Sequence, residues 1–185
     1  MSEVGHGEGD GMPAGGHLLL IMRHAQAEPG VAGGDRMRPL SLQGRHQAEH
    51  VGRGLARHGW TPDRIVCSGA TRTRQTLDQM LDSFGDGPRV DYREGLYSDG
   101  TQALLDELSA SRSEDGILLV VAHEPTVSYC SRLLATTGSD GDGPGRLGLG
   151  MPPAAVACLI SERPFSHWGL HSARLCGVFG WRDWR

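Results

Sequence analysis

The stretch LLLIMRHA, residues 18–25, decides the fold. Its first five residues are apolar without a break. That is the pattern of a short strand buried on both faces, as strands are in a parallel sheet. The same pattern returns at residues 64–67 and, most strongly, at 117–122. The chain between these runs is helical in pattern. Ser41 opens a helix with Ala48, Val51 and Leu55 along it and a stop at Gly59. Residues 70–84 place Thr73, Leu77, Met80, Leu81 and Phe84 on one side of a second helix. A short strand is predicted at 88–92, and a helix carrying Leu104, Leu105 and Leu108 at 101–110. A further helix runs from Pro125 to about Ala135, with the proline suited to its first turn. Residues 154–160 and 174–179 read as two late strands. Strand and helix in alternation predict an α/β fold: a three-layer α/β/α sandwich around a mostly parallel sheet.

Composition narrows the function. The chain has 185 residues, enough to bury a core without disulfide or metal staples. Its 18 basic and 22 acidic residues leave a net charge of −4, which speaks against a general nucleic-acid binder. The apolar runs are far too short for a membrane span, and the N-terminus has neither the basic start nor the apolar centre of a signal peptide. Cys67, Cys130, Cys158 and Cys176 are scattered, with no CxxC pair. Free thiols acting as small core residues in a reduced, cytoplasmic compartment are expected.

Two Gly-rich breaks frame the chain. Residues 1–16 hold six Gly and one Pro and read as a disordered leader, leaving 17–185 as a single domain. Residues 138–153 hold six Gly and three Pro and read as a long loop or flap able to gate a site.

In open α/β sheets, ligands bind outside the carboxyl ends of the strands. The first buried strand is followed by Arg23 and His24, the second by Ser68 to Arg72, and the third by His123-Glu124-Pro125. Any one of these means little: an Arg-His after a strand is common, a lone His is often a satisfied core residue, and Arg72 and Arg74 could be solvated. Two Arg and two His at three strand ends of one sheet form a cationic cluster suited to phosphate. Neighbouring cations disfavour protonation of an imidazole, so His24 should remain neutral and able to attack phosphorus. His123 and the two arginines would stabilise charge on the transferring oxygens.

These segments resemble the histidine phosphatase (phosphoglycerate mutase-like) superfamily. Arg23-His24-Ala25 is similar to its RH[GA] signature, residues 39–44 (PLSLQG) to its PL[ST]xxG element, and residues 68–76 (SGATRTRQT) to its SxxxRxxxT element. Residues 121–125 (VAHEP) resemble the element that carries its second histidine. The resemblance runs from about residue 17 to the C-terminus. The short chain and the RHAxA and RPLS forms look most like the SixA-type phosphohistidine phosphatases. The resemblance implies a phosphoglycerate mutase-like fold with His24 as nucleophile, Arg23 and Arg72 as phosphoryl clamps, and His123 completing the pocket. Glu94 is the candidate proton donor, with a surface carboxylate the equal alternative. Arg38 and Arg45 are placed at the mouth or in solvent.

Other motifs fail on inspection. Residues 143–148 fit GxGxxG formally but follow no strand and open no helix, and Pro144 interrupts them. Residues 140–143 lack the further ligands of a calcium loop. His123-Glu124 starts like HExxH, but Val127 stands at the second His position. His6 and His17 are read as incidental to the leader, and Trp168, Trp181 and Trp184 as cover for the core or surface. No metal or cofactor is implied. The expected activity is hydrolysis of protein phosphohistidine or a small phosphomonoester through phospho-His24. The expected partner is a phosphorylated protein or small phosphorylated metabolite, with neither nucleic acid nor membrane. The alternatives are a sugar- or nucleotide-phosphate phosphatase or mutase, and a non-catalytic phosphate-binding module.

Overall fold

The computed structural model describes residues 15–30, 32–139 and 143–184. Six strands form one sheet: β1 (His17–Arg23), β2 (Arg64–Ser68), β3 (Arg89–Arg93), β4 (Ile117–Ala122), β5 (Val156–Ser161) and β6 (Arg174–Phe179). Their order is β3-β2-β4-β1-β5-β6. The pairs β3–β2, β2–β4 and β4–β1 are parallel, whereas β5 runs antiparallel to both β1 and β6. The expected α/β sandwich with a mostly parallel sheet is therefore what the chain forms.

Among the described residues six α-helices complete it: α1 (Leu42–Arg57), α2 (Thr71–Leu81), α3 (Gly95–Ser98), α4 (Thr101–Ser109), α5 (Thr126–Leu134) and α6 (Gly143–Gly148). The sheet separates two cores, and the two-residue period of each strand sorts its side chains between them. Leu18, Leu20 and Met22 of β1 face one core with Ala48, Val51 and Leu55 of α1 and Leu77 and Met80 of α2. Leu19 and Ile21 face the other with Leu104 and Leu108 of α4 and Val127, Cys130 and Leu134 of α5. Both faces of β1 and β4 are thus covered, which is why both read as unbroken apolar runs. Among the described residues no helix is long and apolar enough to cross a membrane.

Three expectations need correction. The 138–153 segment is not a bare flap: it contains α6 and buries Leu147 and Met151 in the core. Its glycine content gives the backbone freedom, but two apolar side chains anchor it; residues 140–142 lie outside the described residues. The formal GxGxxG of residues 143–148 is itself that short helix. His17 is not incidental: it opens β1, buried, edge-on to Phe165 with ring centroids 5.3 Å apart. The leader expected at 1–16, with His6, lies outside the described residues apart from Gly15 and Gly16. Trp168 and Trp184 are buried and Trp181 packs against the core, as covering residues should.

The PLSLQG element is explained by one close approach. Ser41 caps α1 by accepting from Gly44 N at 3.0 Å, and its own N–H donates to the Gln26 carbonyl at 2.9 Å. A Cβ at Gly44 would stand 2.0 Å from that carbonyl oxygen. Gly44→Ala must therefore push α1 away from the segment that follows His24. We expect a loss of about 3 kcal/mol in urea unfolding, the upper range for overpacking.

Candidate active site

β1 and β4 lie side by side with Arg23 opposite Ala122, so the residues that follow both strands emerge together. The His24 N–H donates to the Ala122 carbonyl at 3.0 Å, and the two imidazole centroids of His24 and His123 are 5.3 Å apart. β2 pairs with β4 on its other side, placing Ser68 next to His123. From this point α1 leaves toward one face of the sheet and α5 toward the other, the reversal at which α/β sheets form ligand crevices.

His24 is held from several directions. Its Nδ1 lies 2.7 Å from the Ala25 carbonyl, which can only accept. Nδ1 therefore carries the proton and Nε2 the lone pair. Nε2 accepts from Arg72 Nε at 3.2 Å. The Ala25 N–H donates to Thr76 Oγ1 at 3.0 Å, and the Gln26 N–H to Gln47 Oε1 at 3.0 Å. The His24 carbonyl accepts from Ala154 N at 3.1 Å, and Ala154 takes a left-handed φ of 61° at that turn.

Each marked position of the SxxxRxxxT element has a separate task. Ser68 Oγ lies 2.7 Å from His123 Nε2, Arg72 meets His24, and Thr76 fixes Ala25. Arg72 sits in the first turn of α2 with its side chain 7% exposed. Arg23 Nη1 donates to the Met151 carbonyl at 2.7 Å. The amide of the same residue is held by Glu124, whose carboxylate accepts from Met151 N at 2.6 Å and from Ser128 Oγ at 2.6 Å. The Gly-rich segment is thus a wall of the site. Two buried polar atoms here, Arg23 Nε and His123 Nδ1, have no partner among the described residues.

The four residues His24, Arg23, Arg72 and His123 are brought together. Among the described residues Glu94 makes no hydrogen bond or ion pair with any of the four. It follows β3, its carboxylate pairs with Arg36, and it covers Gly69, where a Cβ would lie 2.0 Å from Glu94 Oε1. Its side chain is 58% exposed, which places it on the rim. Arg38 is bound to the Glu28 carbonyl at 2.9 Å and to Asp35 Oδ1 at 2.9 Å, and Arg45 is exposed on α1. Sequence reasoning missed Asp35, Tyr97, Glu124 and Met151. Tyr97 stands edge-on to His123 at 5.4 Å, and its hydroxyl donates to Asp35 Oδ2 at 3.2 Å. Glu124 lies inside the VAHEP element and Asp35 three residues ahead of the Arg-Pro-Leu element, whereas Tyr97 and Met151 stand in none of the quoted elements.

Burial, then the neighbouring His123, Arg72 and Arg23, hold His24 down to about 3, against the opposing Ala25 hydrogen bond. Burial and the two arginines hold His123 down to about 4. Both imidazoles are therefore neutral near pH 7. Neither should impose an acidic limb on kcat/KM until the pH approaches 4. Stability behaves differently. The unfolded histidines take up protons below 6.5 while the folded ones do not. Their contribution is complete above pH 6.5 and is lost as pH falls toward 4 and 3. Each histidine should cost about 1.4 kcal/mol of stability per pH unit in that window. Unfolding midpoints at pH 7 and pH 5 test this, and His24→Gln should remove one histidine's share of the slope.

Comparison with known proteins identifies chains of similar sequence and fold. The sequence model described as histidine phosphatase superfamily (branch 1) matches residues 19–97, a span that contains His24, Arg72 and Glu94. A structure assigned as phosphohistidine phosphatase SixA from Nakamurella multipartitia is 32% identical, over 90% of this chain and 97% of that one, with a TM-score of 0.74. An uncharacterised protein of Mycobacterium tuberculosis (strain ATCC 25618 / H37Rv) is 33% identical over 150 residues, 80% of this chain and 89% of that protein. The protein histidine phosphatase SixA complexed with tungstate shares the fold, with a TM-score of 0.74 at 18% identity over 91% of this chain and 99% of that one.

Proposed function

The chain belongs to the histidine phosphatase superfamily, and within it we propose that this protein hydrolyses phosphohistidine on a phosphorylated protein through a phosphohistidine formed on its own His24. The observation that carries this reading is the state of the His24 ring: Nδ1 is committed to a backbone carbonyl, and Nε2 offers its lone pair beside Arg72 and His123. A pure phosphate binder would need donors there, and a neutral Nε2 is an acceptor. It suits attack on phosphorus.

In the first step the Arg72 Nε contact to His24 Nε2 opens, and the freed lone pair bonds to phosphorus as the bond from phosphorus to the substrate's imidazole nitrogen breaks. That nitrogen keeps the electron pair and takes a proton from solvent, which the second step returns. Arg23, Arg72 and His123 hold the phosphoryl oxygens, and Arg23 Nε and His123 Nδ1 gain the partners they otherwise lack. In the second step water attacks phospho-His24, gives up a proton, and releases phosphate and the neutral imidazole. Imidazole departs from phosphorus more readily than an alkoxide, so a rim carboxylate such as Glu94 is needed less for this substrate than for an ester. The roles of Arg23, Arg72, His123 and Glu94 belong to this proposal.

Phosphate release from a phosphohistidine-bearing carrier protein, measured beside p-nitrophenyl phosphate, tests the reading. We expect release from the carrier, and Glu94→Gln should slow the ester more than the carrier. Release from the ester alone would redirect the substrate to small phosphomonoesters. Release from neither would reject the enzyme reading in favour of a phosphate-binding module.

A further inference from the structure

The outer edge of the Arg72 guanidinium is already engaged by an anion that belongs to the chain. Nη1 donates to the Asp35 carbonyl at 2.7 Å and Nη2 to Asp35 Oδ2 at 2.9 Å, while Nε faces His24. A phosphoryl group binding Arg72 in bidentate fashion, end-on through both Nη atoms or side-on through Nε and one Nη, needs at least one of the two nitrogens that Asp35 engages. Two further contacts tether the Asp35 carboxylate: Arg38 Nη1 on Oδ1 at 2.9 Å and the Tyr97 hydroxyl on Oδ2 at 3.2 Å. Arg38 is itself anchored to the Glu28 carbonyl at 2.9 Å. The two partners differ in fixity. Arg72 is 7% exposed, whereas the Asp35 side chain is 53% exposed and the 3-10 turn Asp35–Met37 buries no residue. Hydrogen bonding from Arg38, aided by Arg72 and opposed by partial burial, keeps the Asp35 carboxyl down at about 2, so it is ionised throughout the working range.

We propose that Asp35 is a specificity-determining residue: it competes with the phosphoryl group for the outer edge of Arg72, and once displaced it stays at the mouth and repels leaving groups that carry negative charge. This rests on the phosphate site assigned above. The phosphoryl group wins the edge because it brings more charge and more acceptor oxygens than one carboxylate. The displaced Asp35 keeps its Arg38 tether and remains beside the leaving group. Like charges a few ångströms apart at a partly buried site repel, and a neutral or cationic group there is tolerated or attracted. An imidazole that departs protonated satisfies this filter. A sugar phosphate with a second phosphate, or a phosphorylated carboxylic acid, does not.

Asp35→Asn tests the inference by two readouts. The first needs no turnover: tungstate, a phosphate mimic, is titrated calorimetrically into wild type and variant. If Asp35 occupies the edge about nine-tenths of the time, removing its charge tightens tungstate binding about tenfold. The second is the ratio of kcat/KM for 4-(trimethylammonio)phenyl phosphate over 4-carboxyphenyl phosphate. Wild type should prefer the cation, and Asp35→Asn should shrink that preference about tenfold. Tungstate binding that is unchanged, weaker or undetectable in the variant overturns the competition, and weaker binding would mean that Asp35 merely orients Arg72. An unchanged ratio overturns the filter. Wild type that binds tungstate but hydrolyses neither ester sinks ester hydrolysis, and the tungstate comparison still decides the competition.

Discussion

Replacing His24 with alanine is expected to lower kcat/KM by at least about three orders of magnitude, because the covalent route closes and nothing else at the site can take its place. His123 is the nearest other imidazole, but its Nε2 is held by Ser68 Oγ at 2.7 Å and its Nδ1 serves the mechanism as a hydrogen-bond donor to the phosphoryl oxygens. Ser68 itself is buried beneath it. The fold should survive, since the His24 backbone contacts to Ala122 and Ala154 do not involve the side chain. Tungstate binding should persist within about tenfold, because Arg23 and Arg72 remain. Rapid quench of the wild type with a 32P-labelled phosphohistidine carrier should trap label on the enzyme in a bond stable to alkali and labile to acid. His24→Ala should trap none. Label that survives acid, or residual turnover in the variant above a hundredth of wild type, would refute His24 as the nucleophile.

Arg72→Lys is expected to cost about 100- to 1,000-fold in kcat, although it preserves the charge. Arg72 uses three nitrogens in fixed geometry, one toward His24 Nε2 and two along its outer edge. A lysine ammonium is a single point and cannot hold the imidazole and a phosphoryl group together. It also leaves His24 Nε2 without its donor. The loss should fall mainly on kcat, with a smaller rise in KM, because the fork is needed most as charge develops on the transferring oxygens. A thermal midpoint within a few degrees of wild type would separate this effect from unfolding. A variant with kcat within fivefold of wild type would mean that charge alone suffices and that the fork geometry carries no catalytic weight.

His24 is legible in the sequence because three strand ends are each followed by an Arg or a His. The double duty of Arg72 was not legible, because its partner Asp35 lies 37 positions away in the chain and reaches it through an exposed 3-10 turn. The Gly-rich segment was misjudged for the same reason. Glycine and proline counts report backbone freedom, but burial of Leu147 and Met151 and the hydrogen bonds of the Met151 amide and carbonyl depend on what the segment meets.

What the sequence determined by itself was everything governed by local period and strand position. Unbroken apolar runs required strands covered on both faces, and alternation with amphipathic helices required the layered sheet. Arg23, His24, Ser68 and His123 fell at carboxyl ends because strands end where their apolar runs end. Tertiary structure alone decided which of those ends are neighbours, through the β1–β4 and β4–β2 pairings. It also reversed β5 against β1, set Glu94 on the rim, and laid Asp35 across Arg72. The physical reason is range. Strand and helix patterns are written in neighbours a few residues apart, whereas the charge and hydrogen bonding of an active site are set by whichever distant side chains the packed core brings within about 3 Å.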